Sequence, residues 1–441
     1  MGGGGSGRDT APVSLHPRHR IDAGPADVAF AASACARPGL RRRLAESVER
    51  AWSPAGNALV CLSARSAFDL LLSALDLPAG SELLVSAVTI PDMAGIVTDH
   101  GLTPVPVDLD PATLAPRLDL LDRLVTGHTR AVLVAHLFGG RLDLGPVAER
   151  CRRHGLVLIE DCAQSFRGMG DTGTAAADAS LFSFGPIKTA TAFGGGLVRI
   201  GDPEVLARMR RLQDGWPVQT RAAFAGRVGR FGALVVVQQP VLYGLVAAAG
   251  ARLGRPLDDL VSGAARSFPE GSVVRRRPSA PLLRVLRRRL AGFDGRRSAI
   301  RAARGERAAW ALAATVEVPG CAQLERTWWL FGVAVDHPSA LIGRLRAAGF
   351  DASPATSALA AVPAPAGRPE ADPVGARRML TGLVCLPVYP ELPEAAFRRL
   401  LEVVGPAGTV WPTSQSTSST SEPVRPKTSR WRRAPVPRAS A

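Results

Sequence analysis

Leu156-Val157-Leu158-Ile159-Glu160-Asp161-Cys162-Ala163-Gln164 opens with an apolar run and closes in polar groups. A short apolar run of this kind reads as a buried strand, and the acidic pair marks its carboxyl end. Outward from it the pattern repeats. Leu83–Val85, Val105–Val107, Ala131–Ala135 and Leu181–Phe184 are further strand candidates, and Ser66–Leu75 and Leu144–His154 have apolar positions at helical spacing. Strands alternating with helices predict a mainly parallel sheet covered by helices on both faces. Ligands of such sheets bind outside the carboxyl ends of the strands. His136, Asp161 and Ser183 fall there.

A second alternation begins after residue 310, with an apolar run Trp328–Val335, a helix over 338–348, a run Leu383–Leu386 and a helix Glu394–Val404. It predicts a smaller C-terminal α/β domain. The expected organisation is a flexible leader over 1–28, a large domain over 29–215, a divergent basic and apolar helical insertion over 216–309, the small domain over 310–408 and a disordered basic tail over 409–441. The leader is rich in Gly, Pro and charge, and the tail holds too little apolar surface to offset the entropy of ordering. Residues 231–251 are uncharged throughout, near the length that spans a bilayer, although Gln238, Gln239 and Pro240 interrupt them. Leu282, Leu283, Leu286 and Leu290 share one helical face with arginines largely off it, so contact with a membrane surface through 231–290 stands beside the plainer reading of a buried helix with a solvated arginine face.

The net charge of +16 is local. Residues 252–309 hold 15 Arg against 5 acids and residues 412–441 hold 6 basic residues against 1 acid, so the remainder is nearly neutral and a nucleic-acid-binding core is not implied. Among the basic residues only Lys188 and Lys427 are lysine. Six scattered cysteines fit a reducing compartment, and the polar, glycine-rich start lacks the apolar core of a signal peptide, which makes the cytoplasm the expected location. Gly168–Gly173 matches a dinucleotide-binding spacing in the wrong context and reads as a turn. No P-loop, serine-hydrolase elbow or metal-ligand spacing occurs, and no metal is expected.

Leu181-Phe182-Ser183-Phe184-Gly185-Pro186-Ile187-Lys188 carries a hydroxyl and the single lysine ahead of the tail. A lysine forms a Schiff base with an aldehyde cofactor, and a carboxylate holds the ring nitrogen of pyridoxal phosphate protonated, so Lys188 and Asp161 suit those roles. Ser63-Ala64-Arg65-Ser66 opens a helix whose first amides form an anion cradle. Each has a plainer reading: Asp161 as a helix cap, Ser183 as an internal hydrogen-bonder, and His136 as a structural residue.

Together, Ser63–Leu70, Thr89, Pro104–Asp110, His136-Leu137-Phe138-Gly139, Glu160–Gln164, Ser183-Phe184 with Lys188, and Gly194-Gly195-Gly196 resemble, in order and spacing, the DegT/DnrJ/StrS family of sugar aminotransferases. The resemblance is close over roughly residues 45–215 and loose over 310–408. It implies a fold-type-I pyridoxal 5′-phosphate enzyme, a homodimer, that aminates keto-sugars attached to nucleotides. Carried to this chain, it implies that Lys188 is the Schiff-base lysine and Asp161 the partner of the pyridine nitrogen. Gln164 lies against the ring and its 3′ oxygen, and Ser183 binds phosphate with the backbone of Ala64 and Arg65. Members that dehydrate sugars carry histidine at the lysine position, so Lys188 favours amino transfer.

The chain departs from the pattern at four places. Ile90 stands where a ring-stacking aromatic is usual, and Gly194 where an acidic residue is usual. A segment reaching the partner subunit's cofactor is unrecognisable within 205–309, and Ser353-Pro354-Ala355-Thr356 replaces a sugar-contacting segment. The expected activity is therefore transfer of an amino group from an amino acid such as glutamate to a keto-sugar, in polysaccharide or secondary-metabolite biosynthesis. The rival readings are a non-catalytic cofactor-binding scaffold or regulator, and an enzyme at the membrane surface with a lipid-linked acceptor.

Overall fold

The computed structural model describes residues 14–254 and 274–405. The expected tail and the central part of the insertion lie outside the described residues.

Seven strands form the central sheet: β1 (Ala58–Cys61), β2 (Glu82–Ser86), β3 (Thr103–Val107), β4 (Thr129–Ala135), β5 (Val157–Asp161), β6 (Ala179–Ser183) and β7 (Gly196–Ile200). Their spatial order is β1-β7-β6-β5-β4-β2-β3. All pairs from β3 to β6 are parallel, and β7 alone runs against its neighbours. The parallel strands are near-continuous apolar runs because helices bury both faces. Large-domain helices are α1 (Pro25–Ala36), α2 (Arg41–Trp52), α3 (Ala64–Leu75), α4 (Pro91–Asp99), α5 (Leu118–Leu124), α6 (Gly145–His154) and α7 (Pro203–Asp214). One apolar core packs Phe68, Leu71 and Met209 of α3 and α7 on the sheet. Another joins Trp52, Phe182, Phe184 and Phe193 to helices from both ends of the large domain.

The stretch expected as a helical insertion contains α8 (Arg221–Val237), α9 (Pro240–Arg252) and α10 (Ala280–Ala291), and runs into α11 (Arg296–Leu312). The bland reading of the arginine-rich helix is the one seen. Leu282, Leu283, Leu286 and Leu290 are at most 2% exposed inside the core, each burial contributing about 1.5–3 kcal/mol. The arginines opposite them hold the chain itself: Arg284 donates to the carbonyl of Arg37, Arg288 lies over the Phe30 ring, and Arg289 pairs with Asp27 at 2.8 Å. The apolar face of α10 is therefore not available to a membrane. No single described helix is long and apolar enough to cross one, and α8 and α9 pass that test only as a pair bent by 104° at Gln238-Gln239. Their exposed side chains include Val236, Val241, Leu242, Leu245 and Val246.

The small domain is a three-stranded antiparallel sheet, β8 (Phe331–Ala334), β10 (Leu383–Leu386) and β9 (Ser353–Pro354), in the order β8-β10-β9. It is backed by α12 (Pro338–Ala347), α13 (Val374–Gly382) and α14 (Glu394–Val404). Phe331, Phe350, Phe397 and Leu400 centre its core.

The leader expectation needs correction from residue 14 onward. Leu15 and Ile21 are buried, Leu15 N–H donates to the Pro240 carbonyl, and His16 exchanges backbone hydrogen bonds with Gly349 and Asp351. Arg18 grips Asp351 with two bonds of 2.7 and 2.9 Å. Ion pairs and two apolar anchors supply the ordering that the Gly/Pro composition hides. Residues 25–28 begin α1.

Candidate active site

Two neighbouring strands, β5 and β6, end at one edge of the sheet and deliver Asp161 and Ser183. Alternation along β5 sends Glu160 to the opposite side. There it is fully buried, accepting from His136 Nε2 at 2.7 Å, Arg141 at 3.0 Å, Thr174 N–H at 2.8 Å and the Ser180 hydroxyl at 2.7 Å. Leu142 N–H donates to His136 Nδ1 at 3.0 Å, so the imidazole is neutral with its proton on Nε2. Burial holds the His136 pKa down; burial also pushes Glu160 upward, but its bonds to His136 and Ser180 and the charge of Arg141 win and keep it ionised. This gives His136 a structural role. Cys162 belongs to the same knot through Arg141, at 2.8 Å. His136, Glu160 and Cys162 are close enough to suggest a metal site, but their ligand atoms already have these partners.

Asp161 is partly buried, with one carboxylate oxygen accepting from Ala163 N–H at 2.9 Å. Burial raises its pKa, opposed by that bond and by the charge of Lys188. Lys188 follows β6 after a turn closed by its own N–H to the Gly185 carbonyl at 3.0 Å. Its ammonium pKa is lowered to about 8, first by burial, then by Arg65, with Asp161 opposing. The two predicted central residues thus sit within electrostatic reach of each other.

Gln164 accepts from Phe138 N–H at 2.8 Å through Oε1, which leaves its amide nitrogen as the donor. Phe138 holds a positive φ of 59° at that turn. At the other end of the cleft, Ser63 caps α3, its hydroxyl accepting from Ser66 N–H at 3.1 Å. Ala67 N–H bonds the Ser63 carbonyl, so an anion at this helix start meets the amides of Ala64 and Arg65. Ser183 pairs across the sheet with Gly196, and a Cβ on Gly196 would lie 2.4 Å from Ser63 C and 2.6 Å from Ala64 N. Only glycine lets β7 run this close to the helix start, and this brings Ser183 and Ala64 to the same corner. The Ser183 hydroxyl makes no hydrogen bond among the described residues. The Arg65 side chain pairs with Asp92. Ile90 precedes α4 and packs partly buried between two apolar cores, with no aromatic in its place.

Several cleft residues have no counterpart in the sequence reading. Trp329 lays its indole 4.2 Å from Lys188 Nζ and donates to the Ile187 carbonyl at 3.1 Å. His19 packs edge-on against Trp329, and burial lowers its pKa to about 4, so it is neutral. Arg18, Arg20, Arg297 and Arg301 complete the wall. The available signal was the spacing of Arg297 and Arg301, four apart on one helix.

Residues 35–231 match the model of the DegT/DnrJ/EryC1/StrS aminotransferase family. The GDP-perosamine synthase of Caulobacter vibrioides is 35% identical over 159 residues, which are 36% of this chain and 43% of that protein. The dTDP-4-dehydro-2,3,6-trideoxy-D-glucose 4-aminotransferase of Saccharopolyspora spinosa is 34% identical over 152 residues, 34% of this chain and 40% of that protein. The chain thus spans half or less of the length of the curated relatives it matches. Solved structures agree over more of the fold. The aminotransferase TlmJ from Streptoalloteichus hindustanus has a TM-score of 0.59 at 20% identity, over 89% of this chain and 97% of that one. NtdA from Bacillus subtilis, solved with bound cofactor PMP, has a TM-score of 0.61 at 17% identity, over 86% and 81%. At these identities the likeness shows the fold, that of fold-type-I aminotransferases.

Proposed function

From the premise that residues 35–231 belong to the DegT/DnrJ/EryC1/StrS aminotransferase family, we propose that the chain is a pyridoxal 5′-phosphate-dependent aminotransferase. It moves an amino group from an amino acid, glutamate by preference, to a keto-sugar carried on a nucleotide. The observation that carries this reading is the meeting of Lys188, Asp161 and the start of α3 at one edge of the sheet.

The residues present fit the cofactor. The Gly196 approach leaves a corner where a phosphate meets two helix amides and a hydroxyl, and the Asp161 carboxylate lies in electrostatic reach of the lysine amine. Ala64, Arg65 and Ser183 would hold the phosphate, Asp161 the ring nitrogen, and Gln164 Nε2 the 3′ oxygen. When bound, pyridoxal 5′-phosphate supplies an aldehyde for the amine and a ring that withdraws electrons. Lys188 Nζ, with a pKa of about 8, accepts a proton from the donor's α-carbon near neutral pH and returns it when the acceptor is aminated. Asp161 keeps the ring-nitrogen proton in place through both halves. Trp329, His19 and the Arg18–Asp22 stretch cover the amine and limit water.

The test is the absorbance of purified protein with added cofactor, before and after borohydride, in wild type and Lys188→Ala. A reducible band near ~420 nm that needs Lys188 supports the reading. Its absence from the wild type sinks it, and a band that no amino donor bleaches favours a scaffold. We take the working unit to be a cytoplasmic homodimer, which sedimentation and fractionation test.

One observation favours a second reading for part of the chain. The exposed Val241, Leu242, Leu245 and Val246 of α9 lie within a stretch, 215–257, that has five arginines and no acidic residue. That combination suits an anionic bilayer surface and would bring the enzyme to a lipid-linked acceptor. Flotation with anionic liposomes tests it, and failure to float removes it.

A further inference from the structure

Trp329 stands over the reactive amine with little freedom to move. Its ring centre lies 4.2 Å from Lys188 Nζ, within reach of a cation–π contact, and the side chain is only 8% exposed. The indole N–H donates to the Ile187 carbonyl at 3.1 Å, one residue before the lysine. Arg301 donates to the Thr327 carbonyl at 3.0 Å and to the Thr189 hydroxyl at 3.3 Å, which ties the tryptophan segment to the residue after the lysine. Thr327 in turn donates to the Gly139 carbonyl, from its N–H at 2.9 Å and its hydroxyl at 3.0 Å. A Cβ on Gly139 would lie 2.5 Å from Trp329 N, so the turn admits the tryptophan segment only as glycine. Ring and amine are thus held together from both sides of Lys188.

The charges acting on Nζ come from other elements: Asp161, ending β5, favours the ammonium and Arg65 of α3 opposes it. His19, with its ring centre 5.4 Å from that of the indole, is neutral, and the four arginines of the wall share the cleft with Asp22 and Tyr389. An aromatic face attracts an ammonium and has little hold on a neutral amine, and the attraction grows where water is excluded. We infer that Trp329 is a positioning residue whose indole face holds the protonated Lys188 amine and keeps the proton on Nζ while it is being carried. The carrying role rests on the aminotransferase reading above; the hold of ring on amine does not. A proton taken from the donor's α-carbon has to ride on Nζ until it is handed on. An aromatic face secures it without offering a base that would take it away, as a second carboxylate would. Removing the ring should therefore lower the pH at which the amine gives up its proton. Opening an apolar wall would do the reverse, because water entering the cleft relieves the burial that chiefly depresses the lysine.

The experiment is the pH profile of reductive trapping of a small aldehyde on Lys188, read by peptide mass spectrometry on the full-length protein without added cofactor. Wild type, Trp329→Leu and Trp329→Phe are compared, with Lys427, the other lysine, as internal reference. Trp329→Leu should lower the Lys188 midpoint by about 0.5–1.5 pH units, a roughly three- to thirtyfold loss of proton affinity, and leave Lys427 unmoved. Trp329→Phe, which keeps a ring and loses the indole N–H, should recover about half of the shift. Fluorinated tryptophan incorporated at all seven tryptophans weakens the ring face at nearly unchanged shape; it should lower the midpoint too, and it decides the matter if the leucine variant does not fold. An unmoved midpoint overturns the inference, an upward shift overturns it in favour of a mere water barrier, and a phenylalanine variant no better than leucine overturns it as well. The borohydride-reducible band with added cofactor is recorded on each sample. Missing from wild type, it takes down the aminotransferase reading and the carrying role, while the midpoints still decide the hold of ring on amine; a normal band with an unmoved midpoint removes the inference alone.

Discussion

Lys188 should titrate near pH 8 rather than near its ordinary 10.5, because partial burial and the Arg65 charge outweigh the pull of Asp161. At pH 7.5 roughly a quarter of the amine is then unprotonated, against about one part in a thousand for an unperturbed lysine. The free-amine fraction is thus about two hundred times larger, and nucleophilic capture of an aldehyde should scale with it. The assay is the initial rate of reductive trapping of a small aldehyde on Lys188, read by peptide mass spectrometry from pH 6 to 11. The rate should level off above a midpoint of about 8. Two substitutions fix the sign. Asp161→Asn removes the group that favours the ammonium and should move the midpoint down. Arg65→Gln removes a neighbouring cation and should move it up. The same shift bears on folding. The folded pKa lies below the unfolded one, so the unfolded chain binds more protons between pH 8 and 10.5, and stability should rise with pH across that window. Lys188→Met should lack this rise. A wild-type midpoint near 10, or an upward shift on Asp161→Asn, would refute the account of the cleft.

Three further outcomes follow from the packing. Gly196→Ala forces a methyl into the Ser63–Ala64 backbone; it should destabilise by about 1–3 kcal/mol and weaken cofactor loading about tenfold, and normal loading in a titration would show that the corner is not the phosphate site. Glu160→Ala strips four donors of their shared acceptor and should cost roughly 3–5 kcal/mol in urea denaturation, with a loss under ~1 kcal/mol counting against the knot. Arg18→Ala leaves the buried Asp351, among the described residues, with the Tyr243 hydroxyl at 2.7 Å as its side-chain partner; limited proteolysis within residues 14–22 should quicken severalfold, and an unchanged cleavage rate would show that the ion pair does not hold the segment.

The parallel strands and the two ends of β5 and β6 were legible because a strand buried on both faces leaves a run of apolar residues, and its last residues stand at the ligand edge. β1 and β7 were not. Arg199 breaks the apolar run of β7, and only the folded chain shows that this guanidinium is satisfied by the carbonyls of Thr172, Thr174 and Ala177 and by the Ser180 hydroxyl. Lys188, Asp161 and Ser183 come from one continuous stretch, which spacing can bring together, and Gln164 entered through the family resemblance. The rest of the cleft is assembled across the chain: His19 from the amino end, Arg301 from the stretch expected as a divergent basic and apolar helical insertion, and Trp329 from the start of the small domain. Arg18 and Asp351 are 333 residues apart, and no local pattern announces such a pair. Composition alone then made a packed segment look like a flexible one.

That segment also bears on how the molecule can move. It bonds Pro240 of α9 on one side and Gly349 and Asp351 of the small domain on the other, while Asp22 accepts from Ala190 N–H at 2.6 Å, beside the lysine loop. A hinge between the two domains therefore cannot open without stretching this latch. Loosening residues 14–22 should therefore act on the rate of opening rather than on the chemistry.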